Sequence, residues 1–113
     1  MKKLKTLESF LEFENKMSIK DKMMSGDIQL IEQTISSDNN LGCVLAIGAS
    51  VKNQIKTDII VRSLKKLKSK DEYEFCMNIS ELALAALHVL GIEYYYGDNK
   101  NVKELIESKF SFI

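Results

Sequence analysis

Hydrophobic residues recur along this chain at helical spacing, in short segments bounded by residues that favour helix ends. Leu7, Phe10 and Leu11 fall on one side of a first segment that Thr6 can cap, and Leu4 extends its stripe. Ser18 with Asp21 three residues on has the form of a capping box for a second segment through Met24, and Gly26 stands where glycine commonly ends a helix. Asp27 can cap a third segment over 28–35, which the Ser-Ser-Asp-Asn-Asn run then ends. Thr57 can cap a segment whose buried stripe is Ile60, Leu64 and Leu67, spaced i, i+4 and i+7. Ser69 and Glu72 form a second box, predicting a helical segment through Met77. Asn101 with Glu104 opens a last helix, with Val102, Leu105 and Ile106 facing inward and Phe110 and Phe112 following.

Two segments are apolar nearly all round, which marks helices enclosed by others. One is LGCVLAIGASV, over 41–51, and the other runs over 82–90, with Ser80 as its predicted cap and Gly91 as its left-handed end. Gly42 and Gly48 each cost roughly 1 kcal/mol of helix propensity. With Ala46 and Ala49 they leave room for a neighbouring helix to approach closely. The two apolar segments lie about 40 residues apart, a period that suits HEAT or armadillo helical pairs. The prediction is an all-α single domain over 1–113, with seven or eight short antiparallel helices in a compact two-layer, HEAT-like stack of helical hairpins. Ile92-Glu93-Tyr94-Tyr95-Tyr96 is the best strand candidate, but it lacks a partner and reads as a loop or extended connection.

Composition agrees with this picture. A chain of 113 residues buries about two-thirds of its unfolded surface, enough for one core without staples. Hydrophobic residues make up 45% and charged residues 28%, which disfavours disorder. Glu8, Glu12 and Glu14 interrupt the basic N-terminus where a secretory signal would need an apolar run, so a cytoplasmic location is expected. Neither apolar segment has the roughly 20 residues that span a bilayer, so no membrane partner is expected. Cys43 and Cys76 both fall within apolar helical patterns and are expected to be reduced core thiols.

The formal net charge is zero, which argues against a strongly basic nucleic-acid binder, yet the charge is unevenly placed. Residues 52–70 carry seven basic groups and one acidic group, while 71–113 carry eight acidic and three basic. The block VRSLKKLKSK has no interleaved aromatic residue to stack a base, so it reads mainly as the solvated face of a helix. Weak RNA binding through residues 62–70 is the alternative. Asp71, Glu72 and Glu74 fit the positive end of a helix dipole.

The sequence shows no catalytic signature. His88 is the only histidine and sits in ALAALHVLG, where a core histidine with one hydrogen bond is the simpler reading. Neither cysteine has electropositive sequence neighbours that would activate a thiol. There is no phosphate-binding glycine loop, and no metal-ligand spacing. No enzyme, no cofactor, no metal and no small-molecule substrate are expected.

A partner surface is the remaining candidate. Three adjacent tyrosines cannot all point into one core, so at least one of Tyr94, Tyr95 and Tyr96 is expected at the surface, flanked by Glu93 and Asp98. Tyrosine brings large area, few rotors and a hydroxyl to an interface. The opening MKKLKTLESFLEF, the central LGCVLAIGAS and the segment ISELALAALHVLGIEYYYGD together resemble the small all-helical immunity proteins of bacterial contact-dependent growth-inhibition systems. That resemblance implies a protein that binds the C-terminal toxin domain of its own system and covers its active site. Several such toxins are nucleases with basic grooves, which an acidic, tyrosine-bearing surface would suit. On that reading Glu93, Tyr94, Tyr95, Tyr96 and Asp98 lead the contact, and Asp71, Glu72 and Glu74 help if they share that side. The neutral overall charge departs from the strongly acidic immunity proteins. A small helical scaffold that binds a peptide or protein in its groove is the competing expectation.

Overall fold

The structure, a computed structural model, describes residues 19–74 and 76–110. Residues 19–24 are helical and form α1. Then follow α2 (Ile28–Ile35), α3 (Asn40–Lys52), α4 (Asp58–Leu67), β1 (Tyr73–Glu74), β2 (Met77–Asn78), α5 (Ile79–Val89) and α6 (Lys100–Ser108). The described chain is thus mostly helical, with six helices and one two-stranded sheet. The expected first helix, capped at Thr6, lies outside the described residues.

Side-chain caps set five of the helix starts. Asp27, Asn39, Thr57, Asn78 and Asn99 each accept a hydrogen bond from the backbone N–H three residues on. This satisfies one of the amide groups that a helix start leaves without an internal partner. Asp27 and Thr57 are the caps the sequence predicted. Ser80 and Asn101 are not: the true caps stand two residues earlier, at Asn78 and Asn99. The Ser80 hydroxyl instead donates to the Lys68 carbonyl oxygen, tying the end of α4 to the start of α5.

The two apolar helices are the central rods. In α3, Cys43, Val44, Ala46, Ile47, Gly48, Ala49, Ser50 and Val51 are buried. In α5, Ile79, Leu82, Ala83, Ala85, Ala86 and Leu87 are buried. The two pack on each other; α2 and α4 also touch, α2 flanking α3 and α4 flanking α5, while α6 covers α5. Ala46 and Ala49 on one rod, and Ala83, Ala85 and Ala86 on the other, are fully enclosed, as close packing between backbones requires. Ile60, Leu64 and Leu67 form the buried stripe of α4, while Arg62, Lys65 and Lys66 are exposed.

One predicted helix is replaced by a hairpin. The segment from Ser69 through Met77 carries β1 and β2, antiparallel, with Tyr73 opposite Asn78 and Glu74 opposite Met77. The reason lies in the backbone. The Ser69 and Lys70 N–H groups bond to Lys66 and Leu67 carbonyl oxygens, so Ser69 closes α4 rather than capping a new helix. The Lys70 and Glu72 carbonyl oxygens then accept from Ser80 and Ile79, which commits them to α5. Cys76 sits in the hairpin turn at φ +62° and is exposed, correcting the expectation of a core thiol. Cys43 is buried as expected, and both thiols are free.

Candidate partner-binding surface

The tyrosine segment is an extended loop rather than a strand, as expected, and the end of α5 positions it. Gly91 takes φ +75°, a left-handed conformation that glycine adopts without a Cβ penalty. The Gly91 N–H bonds to the His88 carbonyl, and the Ile92 N–H to the Leu87 carbonyl at 2.9 Å. These are the two bonds of a Schellman ending. The Glu93 N–H also reaches the Leu87 carbonyl, at 3.1 Å.

From there the chain alternates, as extended backbone does. Tyr95 turns inward and packs against the core. Its N–H donates to Nδ1 of His88 at 3.0 Å, and its hydroxyl accepts from the Asn99 N–H at 3.0 Å. Asn99 in turn caps α6 and donates its side-chain amide to Glu81 on α5 at 2.6 Å. Tyr94 and Tyr96 turn outward, with 67% and 86% of their surface exposed. Their rings touch, with centroids 4.7 Å apart and planes tilted by 50°, and Tyr94 also lies 4.6 Å from the His88 ring. His88, Tyr94 and Tyr96 therefore make one continuous aromatic row from half-buried to fully open. His88 is a positioning group here: the hydrogen bond that its Nδ1 accepts holds the loop.

The candidate carboxylates are not equivalent. Glu93 accepts from Lys68 at 2.9 Å and lies 3.9 Å from Lys65. The hydrogen bond from Lys68, helped by both ammonium charges, holds its carboxyl below the usual carboxylate range. Its charge is thus largely answered within the molecule. Asp98 is fully exposed, with Lys103 at 3.8 Å as its loose partner, and keeps its field open to an incoming surface.

Asp71, Glu72 and Glu74 belong to the hairpin at the N-terminal end of α5, whereas Glu93, Tyr94 and Tyr96 follow its C-terminal end. Eleven helical residues span roughly 16 Å, so these are two separate groups. Asp71 accepts from Asn78 at 2.6 Å and steadies the cap of α5. Glu72 accepts from Asn40 at 3.4 Å, on the side of α4 away from Glu93. Glu74 is half-buried in β1. The structure therefore brings Glu93, Tyr94, Tyr95, Tyr96 and Asp98 together on one loop and leaves the other three acids elsewhere.

Sequence reasoning missed three members of this surface: His88, Lys65 and Lys68. His88 was placed in the core with one unspecified bond, and its contact with the following loop had no signal in the sequence. The pairing of Lys65 and Lys68 with Glu93 had a faint one, in the opposite charges of the two halves of the chain. Among the described residues no cluster of three His, Cys, Asp or Glu side chains is placed to hold a metal ion, and no helix is long and apolar enough to cross a membrane. No protein-family model, curated protein or solved structure matches this chain.

Proposed function

We propose that this protein acts by occlusion, as an immunity protein that binds a cognate bacterial toxin domain in the cytoplasm and covers its active site. The observation that carries this reading is the aromatic row, in which Tyr94 and Tyr96 are exposed side by side on a loop pinned by His88. Exposed, adjacent tyrosines on a fixed backbone pair large contact area with little ordering cost, which is what a tight protein interface draws on. In this reading the helices stack as antiparallel hairpins in two HEAT-like layers, and that scaffold presents the loop.

Electrostatics plays a narrower part than the residue types alone imply. With Glu93 held by Lys68 and Lys65, Asp98 is the carboxylate at this surface that a basic toxin groove would meet first. Its contribution falls on the association rate and its salt dependence more than on the final affinity.

The test is binding to the cognate toxin domain that this reading requires, sought first in the reading frame next to this chain's own and measured by calorimetry and by relief of toxin activity. The expected affinity is nanomolar or better, about −12 kcal/mol. Replacing Tyr94 and Tyr96 together by alanine should weaken binding by roughly 100-fold or more, since two interface anchors go at once. Undiminished binding and protection by that variant would contradict the proposed surface. Absence of binding by the intact protein would contradict the occlusion reading itself.

A further inference from the structure

The basic face of α4 divides into two flanks with different fates. Lys65 and Lys68 are committed to Glu93, and Lys56, just before α4, donates to the Leu90 carbonyl at 3.1 Å. Arg62, Lys66 and Lys70 lie on the other flank. Among the described residues none of them has a carboxylate within 4 Å. All three converge on one groove of about 740 Å³ between α4 and the end of α2. That volume is in the range of sites for small organic ligands.

The groove is chemically mixed. Ile35 and Leu67 supply an apolar floor. Four serines border it, and they differ in their commitments. The Ser36 and Ser37 hydroxyls donate to the Glu32 and Thr34 carbonyl oxygens. Among the described residues the Ser63 hydroxyl meets only that of Ser36, at 3.5 Å, and the Ser69 hydroxyl bonds to no protein group. Asp38 and Glu72 stand at the groove as well. The C-terminal ends of α2 and α4 add about half a negative charge each. A bare anion would therefore find little net field, whereas a ligand with an anionic end and a hydroxyl- or amine-bearing end would find a partner for each.

We propose that this groove binds a phosphorylated small molecule of nucleotide size, without turning it over. Arg62 and Lys66, one helical turn apart, take the phosphate, because a guanidinium fork matches phosphate oxygens and an adjacent ammonium adds charge. The Ser63 and Ser69 hydroxyls donate to the same group. Asp38 and Glu72 accept from the ligand's hydroxyl or amino groups. The site is separate from the tyrosine loop, so it stands or falls independently of the immunity reading.

The experiment is an amide-resolved NMR titration of the intact protein at low salt with four probes: AMP, inorganic phosphate, adenosine and a short single-stranded RNA. AMP should cause saturable shifts centred on Ser36, Ser63, Lys66 and Ser69, with a Kd of about 0.1–1 mM. Phosphate should move the same amides more weakly, and adenosine should leave them still. Arg62→Gln with Lys66→Gln, both at exposed positions, should weaken AMP at least tenfold, and Lys65→Gln with Lys68→Gln should not. The proposal is overturned if AMP moves none of these amides at about ten times that Kd. It is equally overturned if RNA binds where AMP does not, or if the shifts centre on Lys65, Lys68 and Tyr94.

Discussion

The backbone N–H of Tyr95 donates to Nδ1 of His88 across 3.0 Å, and this bond joins the last turn of α5 to the loop that carries the exposed tyrosines. It requires Nδ1 to be the nitrogen without a proton, so Nε2 carries the hydrogen. Replacing His88 by leucine keeps the bulk but leaves the Tyr95 N–H without its acceptor. Leaving a half-buried donor unpaired costs about 1–3 kcal/mol. The expected outcome is a lower melting temperature, faster hydrogen exchange at the Tyr95 amide and weaker partner binding. A fall in melting temperature with Tyr95 exchange unchanged would mean that His88 acts by packing alone.

Two glycines of the same loop should fail for different reasons. A Cβ on Gly97 would run into the hydroxyl end of the Tyr95 ring. Gly97→Ala should therefore push Tyr95 off its site and break the bond from the Asn99 N–H, so that partner binding suffers more than stability does. A Cβ on Gly91 meets no atom within 4 Å, and the cost there is conformational, from φ +75°. Gly91→Ala should lower stability by about 1 kcal/mol, with the tyrosine surface preserved. Thermal unfolding set beside binding for the two variants distinguishes these outcomes.

Glu93 gives a pH dependence of known sign. Its folded-state carboxyl titrates below the ordinary carboxylate range, chiefly because Lys68 donates a hydrogen bond to the charged form. The stabilisation it contributes is present above the unfolded pKa and is lost as pH falls through the folded value. For an exposed pair the effect is small and salt-sensitive. Wild type and Glu93→Gln should differ in melting temperature at neutral pH and low salt, and the two curves should converge in acid. Curves that stay parallel to low pH would show that the pair contributes nothing.

The two thiols should react at very different rates. Cys76 is exposed in the hairpin turn, whereas Cys43 is buried with its Sγ facing the Ser37 and Ile35 carbonyl oxygens. Burial pushes the Cys43 thiol up, against a smaller opposing pull from Lys70. A thiol reagent under native conditions should modify one equivalent quickly, and Cys76→Ser should abolish that phase. The second equivalent should follow only on unfolding. Rapid modification of both would contradict the burial of Cys43.

Much of the helical architecture was legible in the residue pattern, because it rests on short-range chemistry. Asp27 and Thr57 announce helix starts that their side chains cap, and Gly26 and Gly91 announce ends at φ +99° and +75°. The all-round apolar segments identified the two central rods for the same reason: their neighbours are other helices. The hairpin at Tyr73–Asn78 was hidden because Ser69 and Glu72 imitate a capping box. Whether Lys70 and Glu72 continue a helix depends on the α5 N–H groups that donate to their carbonyl oxygens, which no local window contains. In the candidate surface, the sequence required at least one of three adjacent tyrosines at the surface, and the structure exposes two, Tyr94 and Tyr96. The partner of Glu93 was not legible, since Lys68 lies 25 residues away and is brought there by the packing of α4 on α5.

On the proposed reading, the row of Tyr94 and Tyr96 is where a protein partner docks. Hydrogen exchange of the protein alone and in complex with the toxin domain that the proposed function requires is the decisive measurement. Exchange of the backbone amides over 93–98 should slow on complex formation, with the hairpin amides at 73–78 unaffected. Slowing confined to the hairpin or to the groove between α2 and α4, with the tyrosine loop exchanging as in the free protein, would contradict it.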